Sequence, residues 1–153
     1  MLASILMGLV GGQRSMTPLA AVAVAAAGGH LPRDRAAPDF IRNPVIAAGA
    51  VTLALAELGG DKMKSAPDRI VPLGLAARMI MAGFACGSLA PRGEFWKGAA
   101  VGATTAVAAS YPGWYARITA MEEYGQTPTG LVEDAIVIAG AAAIMAGVSR
   151  DAV

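Results

Sequence analysis

The charged residues that could do chemistry are concentrated where two apolar segments meet. Glu57 ends one apolar segment, Asp61, Lys62 and Arg69 follow it closely, and Arg78 lies within the next one. A charge in hydrocarbon costs several kcal/mol unless it is paired or reaches water. Arginine side chains bind phosphate and carboxylate groups through two hydrogen bonds at once. The cluster therefore predicts either a site for an anionic group or a set of ion pairs that fixes helix packing.

A second candidate site is the interruption of the first apolar run, residues 1–29. Two glycines loosen the helix shortly before Pro18, which removes a backbone donor. Broken helices occur at membrane depth only where the freed backbone groups face protein or a wet cavity, so Arg14 in this break is a candidate binding residue. Two alternatives are a first helix that begins near Thr17, with Arg14 reaching the interface, and a cleaved signal peptide. A signal peptide carries its positive charge before the apolar run, and here the order is reversed.

Each of these charges is too costly to stand alone in lipid. Arg14 and Lys62 can nearly neutralise Glu57 and Asp61. We therefore predict that these four residues form one spatial constellation, although Arg14 is far from the others in the chain.

The composition is that of a membrane protein. The 153 residues leave room for one domain, 1–153. They are 56% hydrophobic and 15% charged, against about 25% charged residues in an average globular chain. The apolar residues are mostly small or aliphatic, which suits helices packed closely in lipid. A net charge of +1 gives no electrostatic footprint for nucleic acid, and a single cysteine allows no intrachain disulfide.

Five apolar segments must position the candidate residues, and a bilayer crossing needs about 20 residues. After the first run they cover residues 44–58, 70–90, 98–110 and 129–148. We predict an all-α polytopic transmembrane helix bundle without a sheet, in which the first and fourth segments are broken. The fourth break is placed at residues 111–115, which contain Pro112, and residues 116–126 are predicted to form an interfacial stretch or a short helix.

The first and fourth segments resemble each other. Residues 10–15, followed by Pro18, are similar to residues 101–106, followed by Pro112, and each precedes a segment with two acids. Those acids are Glu57 and Asp61 in the first case and Glu133 and Asp134 in the second. Because an odd offset separates the two segments, they would cross in opposite senses, as in an inverted repeat. Acids early in the fifth segment also suit the positive end of a helix dipole, which is the alternative interpretation of Glu133 and Asp134.

Charge and glycine patterns give weaker expectations about orientation and assembly. Lys and Arg outside the helices number six on the side of the loop 30–43 and four on the other side. The positive-inside rule then places the C-terminus in the cytoplasm and the N-terminus outside. Three faces have glycines four residues apart and predict a homo-oligomer, most simply a dimer, with internal packing as the alternative. These faces are Gly8/Gly12, Gly83/Gly87 and Gly98/Gly102.

The sequence carries no motif of a known catalytic site. It has no HExxH, CxxC, GxSxG or phosphate-binding loop pattern, and its single histidine, His30, stands at a loop edge. We therefore predict a protein that is not an enzyme, with no catalytic residue, no cofactor and no metal.

Four stretches of the sequence form a recognisable pattern: Gly12-Gln13-Arg14-Ser15 with Thr17-Pro18, Glu57 with Gly60-Asp61-Lys62, Pro67-Asp68-Arg69, and Pro72 with Arg78. Through this pattern the chain resembles, over residues 8–147, an uncharacterised bacterial family of small multipass membrane proteins, domain of unknown function 4126. The resemblance implies a small multipass membrane protein without an established activity. It marks as the residues to test Arg14, Glu57, Asp61, Lys62, Arg69 and Arg78.

Two functions fit these observations. The first is a transporter or lipid-headgroup translocator of the bacterial inner membrane, in which Arg14 faces the Glu57, Asp61 and Lys62 cluster and an anionic solute or headgroup binds there. Arg69 and Arg78 would add positive charge. The alternative is a structural or assembly protein whose charges only pair with one another. A cavity that reaches Arg14 and Glu57 favours the first, and a dry, paired cluster favours the second.

Overall fold

The computed structural model describes residues 1–60 and 70–150, which form six α-helices and one short 3-10 helix, with no strand among them. The all-α prediction is confirmed for this part of the chain. The α-helices are α1 (Leu2–Gln13), α2 (Thr17–Ala27), α3 (Pro44–Gly60), α4 (Pro72–Leu89), α5 (Phe95–Tyr124) and α6 (Gln126–Arg150). The 3-10 helix, Asp39–Arg42, lies in the loop before α3.

The helices α1 and α2 form a hairpin that turns back at Arg14. Near the start of α1, the hydroxyl of Ser4 donates to the carbonyl of Cys86 at 3.0 Å. After α2, the guanidinium of Arg35 donates to the carbonyl of Leu89 at 3.1 Å. Both acceptors belong to the last turn of α4, so α2 runs back toward the end of the molecule where α1 begins. The first segment is thus interrupted where the sequence predicted, but it folds back on itself.

Residue types on both sides of the turn explain why the chain can reverse there. Pro18 stands at the start of α2, where its missing N–H leaves no intrahelical bond unmade. Gly11 brings α1 close to it: a Cβ built on Gly11 would lie 3.4 Å from Cγ of Pro18. Between the helices, Arg14 adopts an extended backbone conformation, with φ −139° and ψ 121°.

Glycines bring α1 into direct backbone contact with α5. A Cβ on Gly8 would lie 2.9 Å from the carbonyl oxygen of Gly102, and one on Gly12 would lie 2.7 Å from that of Ala106. Because these contacts advance together along both helices, α1 and α5 run in the same direction. The predicted inverted repeat, which required opposite directions, is wrong. The physical reason is that the first segment turns back at Arg14, which adds one reversal of the chain before α5.

The other glycine faces are also used within the chain. They join α4 to α5: a Cβ on Gly98 would lie 2.8 Å from the carbonyl oxygen of Cys86, and one on Gly87 would lie 2.9 Å from that of Phe95. All three glycine faces therefore serve internal packing, which was the alternative interpretation. The homo-oligomer remains a prediction, and these faces no longer support it.

The predicted break at residues 111–115 does not occur, because α5 continues through Pro112 to Tyr124. A proline in a helix removes one donor and pushes against the carbonyl of the preceding turn. Neighbouring helices can satisfy the backbone that it loosens, and here the side-chain amide of Gln13 donates to the carbonyl of Ala109 at 3.1 Å. Residues 116–126 thus belong mostly to α5, and Gly125, with a φ of +84°, follows its last residue.

Within the described ranges, two helices are long and apolar enough to cross a membrane by length and composition, α4 and α6. The helices α1, α2 and α3 are apolar but shorter. The prediction of five crossings is therefore not established by helix length.

Candidate functional site

The side chain of Arg14 lies inside the helix packing, with 2% of it exposed. Its Nε and one terminal nitrogen donate to the same carboxylate oxygen of Asp134, at 2.9 and 2.5 Å. The same terminal nitrogen lies 3.8 Å from a carboxylate oxygen of Glu133. The turn between α1 and α2 is thereby tied to α6.

A second arginine completes this group of charges. The guanidinium of Arg117, in α5, donates to Glu133 at 2.7 Å, and 8% of the Arg117 side chain is exposed. We call Arg14, Arg117, Glu133 and Asp134 the ionic cluster. Within residues 1–60 and 70–150, the cluster joins two cations and two anions in a place that water reaches poorly. Unpaired ions in such surroundings would be strongly destabilising.

The meeting of Arg117 and Glu133 follows from the connection between their helices. The tight turn at Gly125 joins α5 and α6 into an antiparallel pair. Arg117 and Glu133 stand equally far along the chain from Gly125, one before it and one after it. They therefore lie opposite each other, and Asp134 points toward the turn at Arg14.

Glu57, near the end of α3, binds the backbone of the same turn. Its carboxylate accepts hydrogen bonds from the N–H and hydroxyl of Ser15 and from the N–H of Met16, each at 2.8 Å. These donors stand just before α2, where the helix has unsatisfied N–H groups and the positive end of its dipole. A carboxylate from α3 thus caps α2.

The predicted site residues fall into two sets. Arg14 and Glu57 both lie at the turn between α1 and α2, but the described ion pairs of Arg14 are with Asp134 and Glu133, and Glu57 binds Ser15 and Met16. Asp61, Lys62 and Arg69 lie outside the described residues. Arg78 is buried in α4, one turn before Ala82, which packs against Gly11 at the end of α1. It therefore lies near the level of the hairpin turn.

The sequence analysis missed Arg117 and Asp134 as members of the site. Asp134 and Glu133 were assigned to a helix dipole or a repeat, and Arg117 to an interfacial stretch or short helix. One signal was available in the sequence. If the fourth segment is continued through Pro112 as a helix, Arg117 and Glu133 stand opposite each other on the two helices that meet at Gly125. No comparable signal in the sequence pairs Arg14 with Asp134.

The structure also contains an apolar groove of about 520 Å³ between α2, α3 and α6. Its lining includes Thr17, Ala20 and Val24 from α2, Leu55 from α3, and Ile138 and Ala142 from α6. Arg14, Glu57 and Asp134 are not among the lining residues. Residues 1–60 and 70–150 contain no group of three His, Cys, Asp or Glu side chains that could hold a metal ion.

Replacing Glu57 by leucine is expected to lower the free energy of unfolding by about 1–3 kcal/mol, because the N–H groups of Ser15 and Met16 lose their acceptor. Thermal unfolding in detergent measures the change. Glu122→Leu is the control, since Glu122 is exposed late in α5. Equal stability of the two variants would show that water satisfies these N–H groups without Glu57.

No family model, no curated protein and no solved structure matches this chain, so the resemblance to the domain family of unknown function stays an expectation and the function must be argued from the residues themselves.

Proposed function

We propose that the chain is a small integral membrane protein in which the α1–α2 hairpin enters the bilayer from one face and is locked by the ionic cluster. The role that this arrangement supports best is structural or assembly, in a bacterial inner membrane. The observation that carries the proposal is the pairing of Arg14 with Asp134 and of Arg117 with Glu133 in a buried position.

The outward faces of the helices support the membrane location. In the most apolar 18-residue window of α6, only 28% of residues are buried, so most of its apolar surface faces outward. Exposed aliphatic side chains recur on other helices, for example Val45 at 73%, Leu73 at 82% and Ile80 at 59%. Soluble monomers rarely expose apolar patches beyond a few hundred Å², whereas lipid solvates such faces.

Exposed aromatic side chains on α5 indicate the depth of the hairpin. Trp96 is 82% exposed and Tyr115 is 70% exposed, and they are separated by about 28 Å of helix. This distance is close to the ~30 Å hydrocarbon core, at whose edges such side chains concentrate. The hydroxyl of Ser110 donates to the carbonyl of Gly12 at 3.2 Å, so Arg14 lies near the level of Tyr115. The ionic cluster would thus stand near one interface.

Translocation of an anionic solute or a lipid headgroup is the second candidate function. It is favoured by the turn itself, where a carboxylate from α3 occupies backbone N–H groups that another anion could bind. The depth of the ionic cluster argues against translocation, because transporter sites built from broken helices lie near the midplane of the bilayer. The groove of about 520 Å³ is lined by neither Arg14 nor Glu57.

A lipid-flip assay separates the two roles without knowledge of a substrate. The purified chain is reconstituted into liposomes that contain fluorescent phospholipid, and dithionite bleaches the label in the outer leaflet. The structural role predicts bleaching no faster and no more complete than in protein-free liposomes. Faster exchange that disappears when Arg14 and Asp134 are both replaced by leucine would establish a translocator instead.

The hairpin changes the expected topology. Because α2 returns to the end where α1 begins, the start of α1 and the end of α6 lie at the same end of the molecule, together with the loop before α3. That end carries the larger count of Lys and Arg, so we expect both termini in the cytoplasm. Reporter fusions at each terminus measure this in intact cells. An N-terminal reporter on the outside would contradict the hairpin, and release of the chain by alkaline carbonate would contradict the membrane location.

A further inference from the structure

The apolar groove has the length of one lipid tail. Along α6 its lining extends from Ile138 to Ser149, a rise of about 16 Å. One leaflet of the hydrocarbon core is about 15 Å thick. Val24, Leu55 and Ile138 are about half exposed at its mouth, with exposures of 51%, 62% and 49%. In a bilayer the groove is therefore open to lipid along its side.

The groove ends at a basic surface. His30 and Ser149 line this end, and the hydroxyl of Ser149 donates to the backbone carbonyl of His30 at 2.8 Å. Arg150 follows directly and is exposed. Among the described residues, this end of the molecule carries six Lys and Arg against three Asp and Glu, a net charge of +3. They are Arg33, Arg35, Arg42, Arg92, Lys97 and Arg150 against Asp34, Asp39 and Glu94.

We propose that the apolar groove holds one tail of an anionic phospholipid whose headgroup lies at the His30–Arg150 end. The inference rests on the proposed membrane location. Apolar contact along α2, α3 and α6 binds the tail, and the basic surface selects a negatively charged headgroup. The groove and the basic surface together carry the proposal, since neither alone identifies a ligand.

The charge at the end of the groove favours a lipid over a helix from a second copy of the chain. Copies in one bilayer share one orientation, so a second helix in the groove would bring a second basic end beside the first. An anionic headgroup instead offsets the positive charge at this end.

The test uses the full chain in detergent, stripped of lipid and then incubated with phosphatidylglycerol or phosphatidylcholine that carry identical tails. Native mass spectrometry counts the lipids that remain bound. Wild type is expected to keep one phosphatidylglycerol and less phosphatidylcholine. Ala142→Phe, which fills the groove from an exposed position, is expected to weaken this binding by about tenfold or more, because each excluded methylene lowers affinity several-fold. Ala143→Phe, an exposed neighbour outside the lining, should bind as wild type does.

Replacing His30 and Arg150 together by glutamine should reduce the preference for phosphatidylglycerol, while Glu122→Gln, an exposed charge change at the other end of α5, should keep it. Equal lipid binding by Ala142→Phe and Ala143→Phe overturns the proposal, as does equal binding of both lipids to wild type. If Ala142→Phe changes the oligomeric state instead, a second copy occupies the groove and the proposal is also wrong. Carbonate extraction of wild type decides separately whether the membrane location itself has failed.

Discussion

Replacing Arg14 by leucine is expected to lower the free energy of unfolding by about 3–5 kcal/mol, the usual cost of removing one partner from a buried ion pair. Asp134 would lose both hydrogen bonds from the guanidinium. Its carboxylate would remain buried beside Glu133 without the positive charge that Arg14 supplies. For a domain of this size the midpoint of thermal unfolding should fall by roughly 6–20 °C. Thermal unfolding of the purified chain in detergent measures it.

A second substitution identifies the partner of Arg14. Replacing Arg14 and Asp134 together by leucine leaves Arg117 paired with Glu133, so much of the lost stability should return. Replacing Arg14 and Glu57 together removes the hydrogen bonds that Arg14 donates to Asp134, and it also removes the carboxylate that accepts from the N–H groups of Ser15 and Met16. That variant should be less stable than Arg14→Leu alone, and recovery in it would favour the pairing expected from the sequence.

Lys97 provides the matched control for loss of a positive charge. Its ammonium donates to Glu94 at 2.9 Å, but 72% of the Lys97 side chain is exposed. Surface pairs of this kind contribute about 0–1 kcal/mol. Lys97→Leu should therefore shift the unfolding midpoint far less than Arg14→Leu. Similar shifts in the two variants would mean that the ionic cluster is solvated.

The sequence was sufficient for the helical class and for the interruption of the first segment, because both depend on local chemistry. Small and aliphatic residues over most of the chain leave few alternatives to packed helices. Two glycines and Pro18 around a charged residue mark a place where helical hydrogen bonding fails. What the chain does after such a break depends on tertiary contacts, and the contacts of Ser4 and Arg35 with the end of α4 are far from the break.

At Pro112 the sequence analysis failed in the opposite way, because it predicted a helix break that the structure does not have. The local rule predicted a break, but the helix continues because α1 supplies partners for the backbone and side chains around the proline, including Gln13 and Gly12. Reading the helix as ended separated Arg117 from Glu133 and hid half of the ionic cluster. The other half was beyond any local rule, since Arg14 and Asp134 are 120 residues apart in the chain. Only knowledge of which helices pack together connects them.

Changing Gly12 to alanine is expected to lower the free energy of unfolding by at least about 1–3 kcal/mol, although alanine is the better helix former. The new Cβ would lie 2.7 Å from the carbonyl oxygen of Ala106 and 2.6 Å from Cβ of Ala109. One of these atoms belongs to the backbone and the other is bonded directly to it, so neither can move without a shift of α5. The helix α1 must therefore move away from α5, and thermal unfolding in detergent should record the loss. Gly49→Ala is the matched control, because a Cβ on Gly49 in α3 meets nothing within 4 Å. Its midpoint should stay unchanged or rise slightly, since alanine restricts the unfolded chain.

The same change should weaken the ionic cluster, because Gly12 stands two residues before Arg14. Moving the end of α1 away from α5 displaces the guanidinium from Asp134, so part of the stability lost in Arg14→Leu is already lost in Gly12→Ala. Substitutions that share a backbone shift do not add. The double variant should therefore be more stable than the sum of the two single losses predicts. A double-mutant cycle measures the difference, with Gly49→Ala and Arg14→Leu as the pair that should add. Additivity in both cycles would show that the α1–α5 contact and the ionic cluster act independently, contrary to the idea that the cluster locks a hairpin held against α5.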